Sequence, residues 1–175
     1  YACHPVVLGA DNTLLTADDY AYMITHCKAQ LVIASGALMP TVQAALDKVP
    51  SPPPCVVSQP IAAEMATSTV LATFDAFIDG PPSAVPADTA GDDIAFWLYS
   101  SGSTGKPKGT VHTHANLYWT AETYGRHVLG IREDDIAFSA AKLFFAYGLG
   151  NGLTFPLSVG ATVVLMAERP TAEAV

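Results

Sequence analysis

An α/β fold, with mostly parallel strands flanked by helices, is what this sequence predicts, on three observations. Short apolar runs alternate with stretches of helical periodicity along the chain, the pattern of strands joined by crossover helices. Half of the residues are hydrophobic and only 14% are charged, against a usual charged share of roughly a quarter. Core-forming side chains are therefore abundant. A tract rich in glycine and hydroxyls, 100–109, directly follows a strongly apolar run, as a loop leaving a strand does.

In chain order, Pro5–Leu8 reads as a short strand. Thr16 is placed to cap a helix, with Asp19 three residues on as in a capping box. Tyr20, Met23, Ile24 and Cys27 then follow at i, i+3, i+4 and i+7, one face of that helix. Leu31–Ala34 is continuously apolar and reads as a strand buried on both faces. Leu38, Val42, Ala45, Leu46 and Val49 repeat at helical spacing. Ser51–Pro54 ends that segment, because proline lacks the N–H donor and fixes φ. Cys55–Ser58 is the next strand, and Ala62–Phe77 reads as helical. Gly80–Asp93 holds Pro81, Pro82 and Pro86 among small and acidic residues and is the expected linker. It divides the chain into a first α/β portion, 1–79, and a second, 94–175. In the second, Ile94–Tyr99 reads as a strand and Asn116–Val128 as a helix with Leu117, Ala121, Tyr124 and Val128 on one face. Asp135–Ala140 and Ala161–Met166 read as strands, with Tyr147–Leu157 partly helical between them.

Bulk properties exclude some functions. A net charge of −8 argues against non-specific nucleic-acid binding, which needs a basic face. It leaves small anions open, because a local loop can bind phosphate inside an acidic protein. The three cysteines, Cys3, Cys27 and Cys55, have no metal-type spacing and read as reduced apolar residues of a cytoplasmic protein. No apolar run reaches the length of about eighteen residues expected of a membrane-spanning helix. Tyr1 opens the chain without an initiator methionine or a basic leader, so the start reads as a cut. The apolar excess fits either an ordinary core or a segment whose covering parts lie elsewhere.

Chemistry concentrates in Ser100-Ser101-Gly102-Ser103-Thr104-Gly105-Lys106-Pro107-Lys108-Gly109. Gly102, Gly105 and Gly109 carry no side chain, so backbone N–H groups can approach an anion there. Ser100, Ser101, Ser103 and Thr104 add hydroxyl donors, and Lys106 and Lys108 add two of the chain's eight basic charges. Such a set suits a polyphosphate. A solvated Gly/Ser linker is the bland alternative, but a linker needs neither the paired lysines nor the stiffening Pro107. A Walker A loop is excluded, because Lys106 is followed by Pro107 instead of Ser or Thr.

This run resembles the phosphate-handling loop of the adenylate-forming superfamily, which includes acyl- and aryl-CoA ligases, luciferases and peptide-synthetase adenylation domains. Within it, Phe96-Trp97-Leu98-Tyr99, Val111-His112-Thr113-His114-Ala115-Asn116 and Lys142-Leu143-Phe144-Phe145-Ala146-Tyr147-Gly148-Leu149-Gly150-Asn151 are similar to benzoate–CoA ligases. So is the early stretch Asn12–Tyr20. The resemblance covers nearly the whole chain. It implies part of the large N-terminal domain of such an enzyme. The implied activity joins a benzoate-like carboxylate to ATP, releasing pyrophosphate, and then passes the acyl group to CoA. ATP with Mg2+ and CoA are implied as co-substrates, with nothing tightly bound, and a homo-oligomer stays open.

The resemblance further implies that Ser100, Ser101, Gly102, Ser103, Thr104, Gly105 and Lys106 hold ATP phosphates. Lys108 would offset charge on the leaving pyrophosphate, an electrostatic role. Phe145, Ala146, Tyr147 and Gly148 fall on the stretch that lines the acid's pocket. A small residue beside an aromatic suits a flat ring. Core packing is the better reading of Phe144, and for Tyr147 the two readings stay open. Gly148, Gly150 and Gly152 admit either a close ligand or plain packing. His112 and His114 at i, i+2 could share a strand face as metal ligands, yet without a third ligand they read as hydrogen-bonded residues at the loop's exit. The family's later motifs and its C-terminal lysine domain are missing, so the chain alone is expected to be inactive. A weak binding module, an inert structural piece, and a ligase for hydroxybenzoate or another acid are the alternatives.

Overall fold

A computed structural model of the chain describes residues 6–8, 15–60, 69–80, 88–100, 107–168 and 170–175, with backbone alone at 6–8. They divide into two compact units. One contains 15–60, 69–80 and Pro107; the other contains 6–8, 88–100, 108–168 and 170–175. The strand at the start of the chain therefore belongs with the second unit, not with the portion 1–79 expected from the linker's position. Most of the proline-rich stretch, 81–87, lies outside the described residues.

The first unit is a parallel three-stranded sheet with helices packed on it. Its elements are α1 (Ala17–His26), β2 (Val32–Ser35), α2 (Met39–Leu46), β3 (Cys55–Ser58), β4 (Val70–Thr73) and α3 (Phe74–Ile78), with strand order β2-β3-β4. The opening strand of the chain, β1 (Val6–Leu8), is part of the other unit. Thr16 starts α1 with the expected capping box: its Oγ1 accepts from the Asp19 N–H at 3.3 Å, and its own N–H donates to Asp19 Oδ2 at 3.0 Å. Ala34, Met39, Val42, Leu46, Cys55 and Val57 form the core, with Ile24, Val32, Leu38 and Val70 against it. Burial pushes the Cys55 thiol up, which keeps it protonated and inert.

Two expectations change here. Leu31–Ala34 was expected to be buried on both faces, but among the described residues β2 is an edge strand, and Ile33 is 54% exposed. Only the face carrying Val32 and Ala34 meets the core. The helix expected over Ala62–Phe77 is replaced, in its described part, by β4 and the short α3. The branched residues Thr67, Thr69 and Val70 were the available strand signal.

The second unit contains two sheets. β1, β5 (Ile94–Ser100) and β6 (Lys108–Thr113) form the first, with β1 parallel and β6 antiparallel to the central β5. β7 (Ile136–Ser139) and β8 (Thr162–Leu165) pair in parallel to form the second. Helix α4 (His114–Thr120) continues into a π-helical stretch, Ala121–Arg126. The wider i→i+5 winding shifts the inward face, so Ala121 and Gly125 are buried while Tyr124 and Val128 are exposed. Gly125 is needed there, because an added Cβ would come within 2.9 Å of Phe155. Between β7 and β8 lie α5 (Ala146–Leu149), a second π-helical stretch, Gly150–Thr154, and α6 (Phe155–Val159), which Gly160 ends in the left-handed region at φ 80°.

Hydrogen bonds from Thr16 hold the Asp19 carboxyl below the usual carboxylate range. A group with a lowered folded-state pKa contributes stability above its unfolded pKa and loses it as pH falls through the folded one. Thr16→Ala is expected to cost about 0.5–2 kcal/mol at neutral pH. In denaturant melts, the gap to the parent chain should narrow once pH falls below the carboxylate range.

Candidate functional site

Ser100 and Lys108 are partners in the β5–β6 ladder and mark the two ends of the loop. Both are exposed. The antiparallel register runs from Phe96↔His112 through Leu98↔Thr110 to Ser100↔Lys108 and fixes where the loop leaves and rejoins the sheet. Ser101, Gly102, Ser103, Thr104, Gly105 and Lys106 lie outside the described residues. Gly109 is not a free loop glycine. It pairs with Tyr99, and a Cβ there would come within 3.0 Å of the Trp97 ring and 3.2 Å of the Tyr99 ring. Its role in the structure is to let two neighbouring aromatics lie over the strand. A strand at Lys108–Thr113 was absent from the sequence reading, and alternation of Lys108, Thr110 and His112 with Gly109 and Val111 is too weak a signal to separate it from a loop.

At the loop's exit, the His112 ring stacks on Phe96 with centroids 4.8 Å apart and 11° between planes. Asn116 Nδ2 donates to His112 Nδ1 at 3.3 Å, and Thr113 Oγ1 donates to Asn116 Oδ1 at 3.2 Å. His114 opens α4, so the two histidines do not share a strand face. Among the described residues no cluster of three His, Cys, Asp or Glu could hold a metal ion. The first N–H groups of α4 are satisfied by backbone: His114 donates to the Asp93 carbonyl at 3.1 Å and Ala115 to that of Gly91 at 2.8 Å.

The segment expected to line an acid pocket sits at the start of α5. Phe145 is its extended N-cap, with φ −84° and ψ 142°, and Ala146 and Tyr147 form its first turn. All three are exposed, Tyr147 at 71%. Plain core packing therefore does not describe Tyr147 within its unit. Phe144 is half-buried, its ring 4.6 Å from that of Phe145, in keeping with a packing role. Gly148 is buried because the Lys142 carbonyl oxygen occupies the space a Cβ would need, and Ala141 O lies 3.0 Å from that point. Gly150 and Gly152 face the Phe155 ring at 2.8 Å and Ser139 Oγ at 2.9 Å in the same sense. These are packing glycines within the described structure.

Sequence reasoning missed Lys142 as more than part of a motif. Its Nζ donates to three consecutive carbonyls beyond β8: Met166 at 2.6 Å, Ala167 at 3.0 Å and Glu168 at 2.7 Å. No sequence signal pairs residues so far apart.

Residues 6–175 match the family of AMP-binding enzymes, and the chain belongs to that family. It is 56% identical over 170 residues to benzoate–CoA ligase of Thauera aromatica, covering 97% of this chain and 31% of that protein. It is 44% identical over 171 residues to 4-hydroxybenzoate–CoA/benzoate–CoA ligase of Rhodopseudomonas palustris, covering 98% of this chain and 30% of that one. Among solved structures, a benzoate CoA ligase from Burkholderia xenovorans LB400 superposes with a TM-score of 0.80 at 52% identity, covering 98% of this chain and 37% of that chain. The chain thus spans about a third of the length of these relatives.

Gly148→Ala tests the packing reading. The new methyl must displace backbone, so it should destabilise by about 1–3 kcal/mol despite alanine's better helix propensity. A thermal melt in which Gly148→Ala is as stable as the parent would contradict the placement.

Proposed function

We propose that the chain is the part of an ATP-dependent aryl acid–CoA ligase that handles the triphosphate and the ring of the acid, and that the acid is benzoate or a close relative. The carrying observation is the 56% identity with benzoate–CoA ligase over nearly the whole chain. The exposed pair Ala146–Tyr147, a small residue beside an aromatic, adds to it, because a flat ring gains from offset or edge contact with another ring.

In this reading the carboxylate attacks the α-phosphorus of ATP, giving an acyl-adenylate and pyrophosphate. The sulfur of CoA then displaces AMP to give the thioester. ATP enters as its Mg2+ complex, the metal held mainly by phosphate oxygens, as is usual for nucleotide-bound Mg2+. Ser100 and Lys108 stand at the mouth of the hairpin. With Ser101, Gly102, Ser103, Thr104, Gly105 and Lys106 they would supply hydroxyl, backbone and ammonium donors to the phosphates. Lys108 would act by offsetting charge that grows on the leaving pyrophosphate, so its effect belongs to the transition state more than to binding. Phe145, Ala146, Tyr147 and Gly148 would take the acid, with Gly148 acting through the backbone position it allows. The same reading places the enzyme in the cytoplasm; among the described residues no helix is long and apolar enough to cross a membrane.

The test is pyrophosphate release from ATP and benzoate, with and without CoA, by the whole enzyme that contains this chain. Benzoate-dependent release is expected, with benzoyl-CoA formed when CoA is present. The 175-residue chain alone is expected to be silent, since it spans about a third of its relatives. Lys108→Met should lower kcat about 10²-fold while leaving KM for benzoate little changed. Release that ignores benzoate and follows a non-aromatic acid would overturn the substrate assignment.

A further inference from the structure

We propose that Lys142 is a positioning residue for the acid-binding turn, an inference that rests on the role proposed above for Phe145–Gly148. Lys142 is fixed at both ends. Its ammonium is held by the Met166, Ala167 and Glu168 carbonyls at 2.6–3.0 Å, so the chain leaving β8 closes around it. Its own carbonyl accepts from the Phe145 N–H at 3.1 Å and fills the space beside Gly148. Phe145 in turn accepts from the Leu149 N–H at 2.8 Å, which sets the first turn of α5. The line of contact runs from the end of β8, through one side chain, to the backbone that presents Phe145, Ala146 and Tyr147.

Three donors on three carbonyls satisfy the full hydrogen-bonding capacity of an ammonium. Such bonds involve a charged partner and are stronger than neutral ones. The backbone after β8 brings three successive carbonyls to one ammonium. β7 and β8 are themselves tied by the Met166 N–H donating to the Ser139 carbonyl at 3.1 Å. The tether therefore references the turn to a sheet instead of leaving it on a free loop. A shift of the turn would move Ala146 and Tyr147 relative to a bound ring without touching the phosphate loop. The expected signature is a selective loss in use of the acid.

The experiment compares the whole enzyme with Lys142→Met, which keeps the stem and removes the donors, and with Lys142→Arg, which keeps donors on a longer reach. Lys142→Met should raise KM for benzoate by about tenfold to 10²-fold, since small misplacements near a reacting group cost on that scale, with KM for ATP unchanged. Amide exchange should quicken at Phe145 and Leu149, and Lys142→Arg should recover part of both effects. Unchanged benzoate KM and unchanged exchange in Lys142→Met would overturn the proposal. So would a parallel rise in both KM values with faster exchange throughout the chain, the mark of general loosening. If the parent enzyme shows no benzoate dependence while exchange at Phe145 and Leu149 still quickens, the tether stands and the acid assignment fails. Should Lys142→Met not fold, Lys142→Gln decides by the same comparisons.

Discussion

The pairing of β5 with β6 is the constraint on which the candidate site depends. Where the glycine-rich stretch 101–106 can act depends on where its two ends are fixed. Here the ends are consecutive with an antiparallel ladder that closes at Ser100 and Lys108. Trp97 and Tyr99 lie over Gly109, so the last rungs before the loop are packed as well as hydrogen-bonded. β5 is also the central strand of its sheet, held on its other edge by β1. Ser100, one end of that stretch, therefore lies on the central strand of its sheet, and Lys108, the other end, on the strand paired with it.

The segment proposed to take the acid is built by different means. After β7 the chain does not run directly into a regular helix. It turns at Lys142–Phe145, makes one turn of α-helix, widens into a π-helical stretch and tightens again at Phe155. Glycines at 148, 150 and 152 allow each of these close approaches. Phe145, Ala146 and Tyr147 are left exposed at the start of this segment.

Much of this was legible in the residues, for reasons that can be named. Thr16 and Asp19 gave the start of α1 because a capping box is a local interaction, complete within four residues. Met39, Val42, Ala45 and Leu46 lie on the buried face of α2 that the spacing of Val42, Ala45 and Leu46 implied. The strands at 55–58, 94–100, 136–139 and 162–165 follow their apolar runs closely. What escaped depends on distant partners. β4 is a strand because β3 lies beside it, although its residues sit in a run that reads as helical. β6 is a strand because β5 precedes it, and Ile33 is exposed because, among the described residues, it lies on the face of β2 opposite the core that Val32 and Ala34 meet. The π-helical stretch that buries Gly125 answers to Phe155, thirty residues on. For the candidate site, Ser100 and Lys108 are exposed partners at the ends of their strands, and Phe145–Tyr147 form an exposed turn. Gly109 and Gly148 serve packing, and Lys142 was visible only once the carbonyls of Met166–Glu168 were in place.

The most direct test of the central idea, that one hairpin loop receives the triphosphate while the turn after β7 receives the ring, is a crystal structure of the whole enzyme with a non-hydrolysable ATP analogue and benzoate. The expected result has β- and γ-phosphate oxygens within hydrogen-bonding distance of residues between Ser100 and Lys108, and the benzoate ring in contact with Ala146 and Tyr147. A triphosphate bound elsewhere, with that loop free of it, would contradict the account.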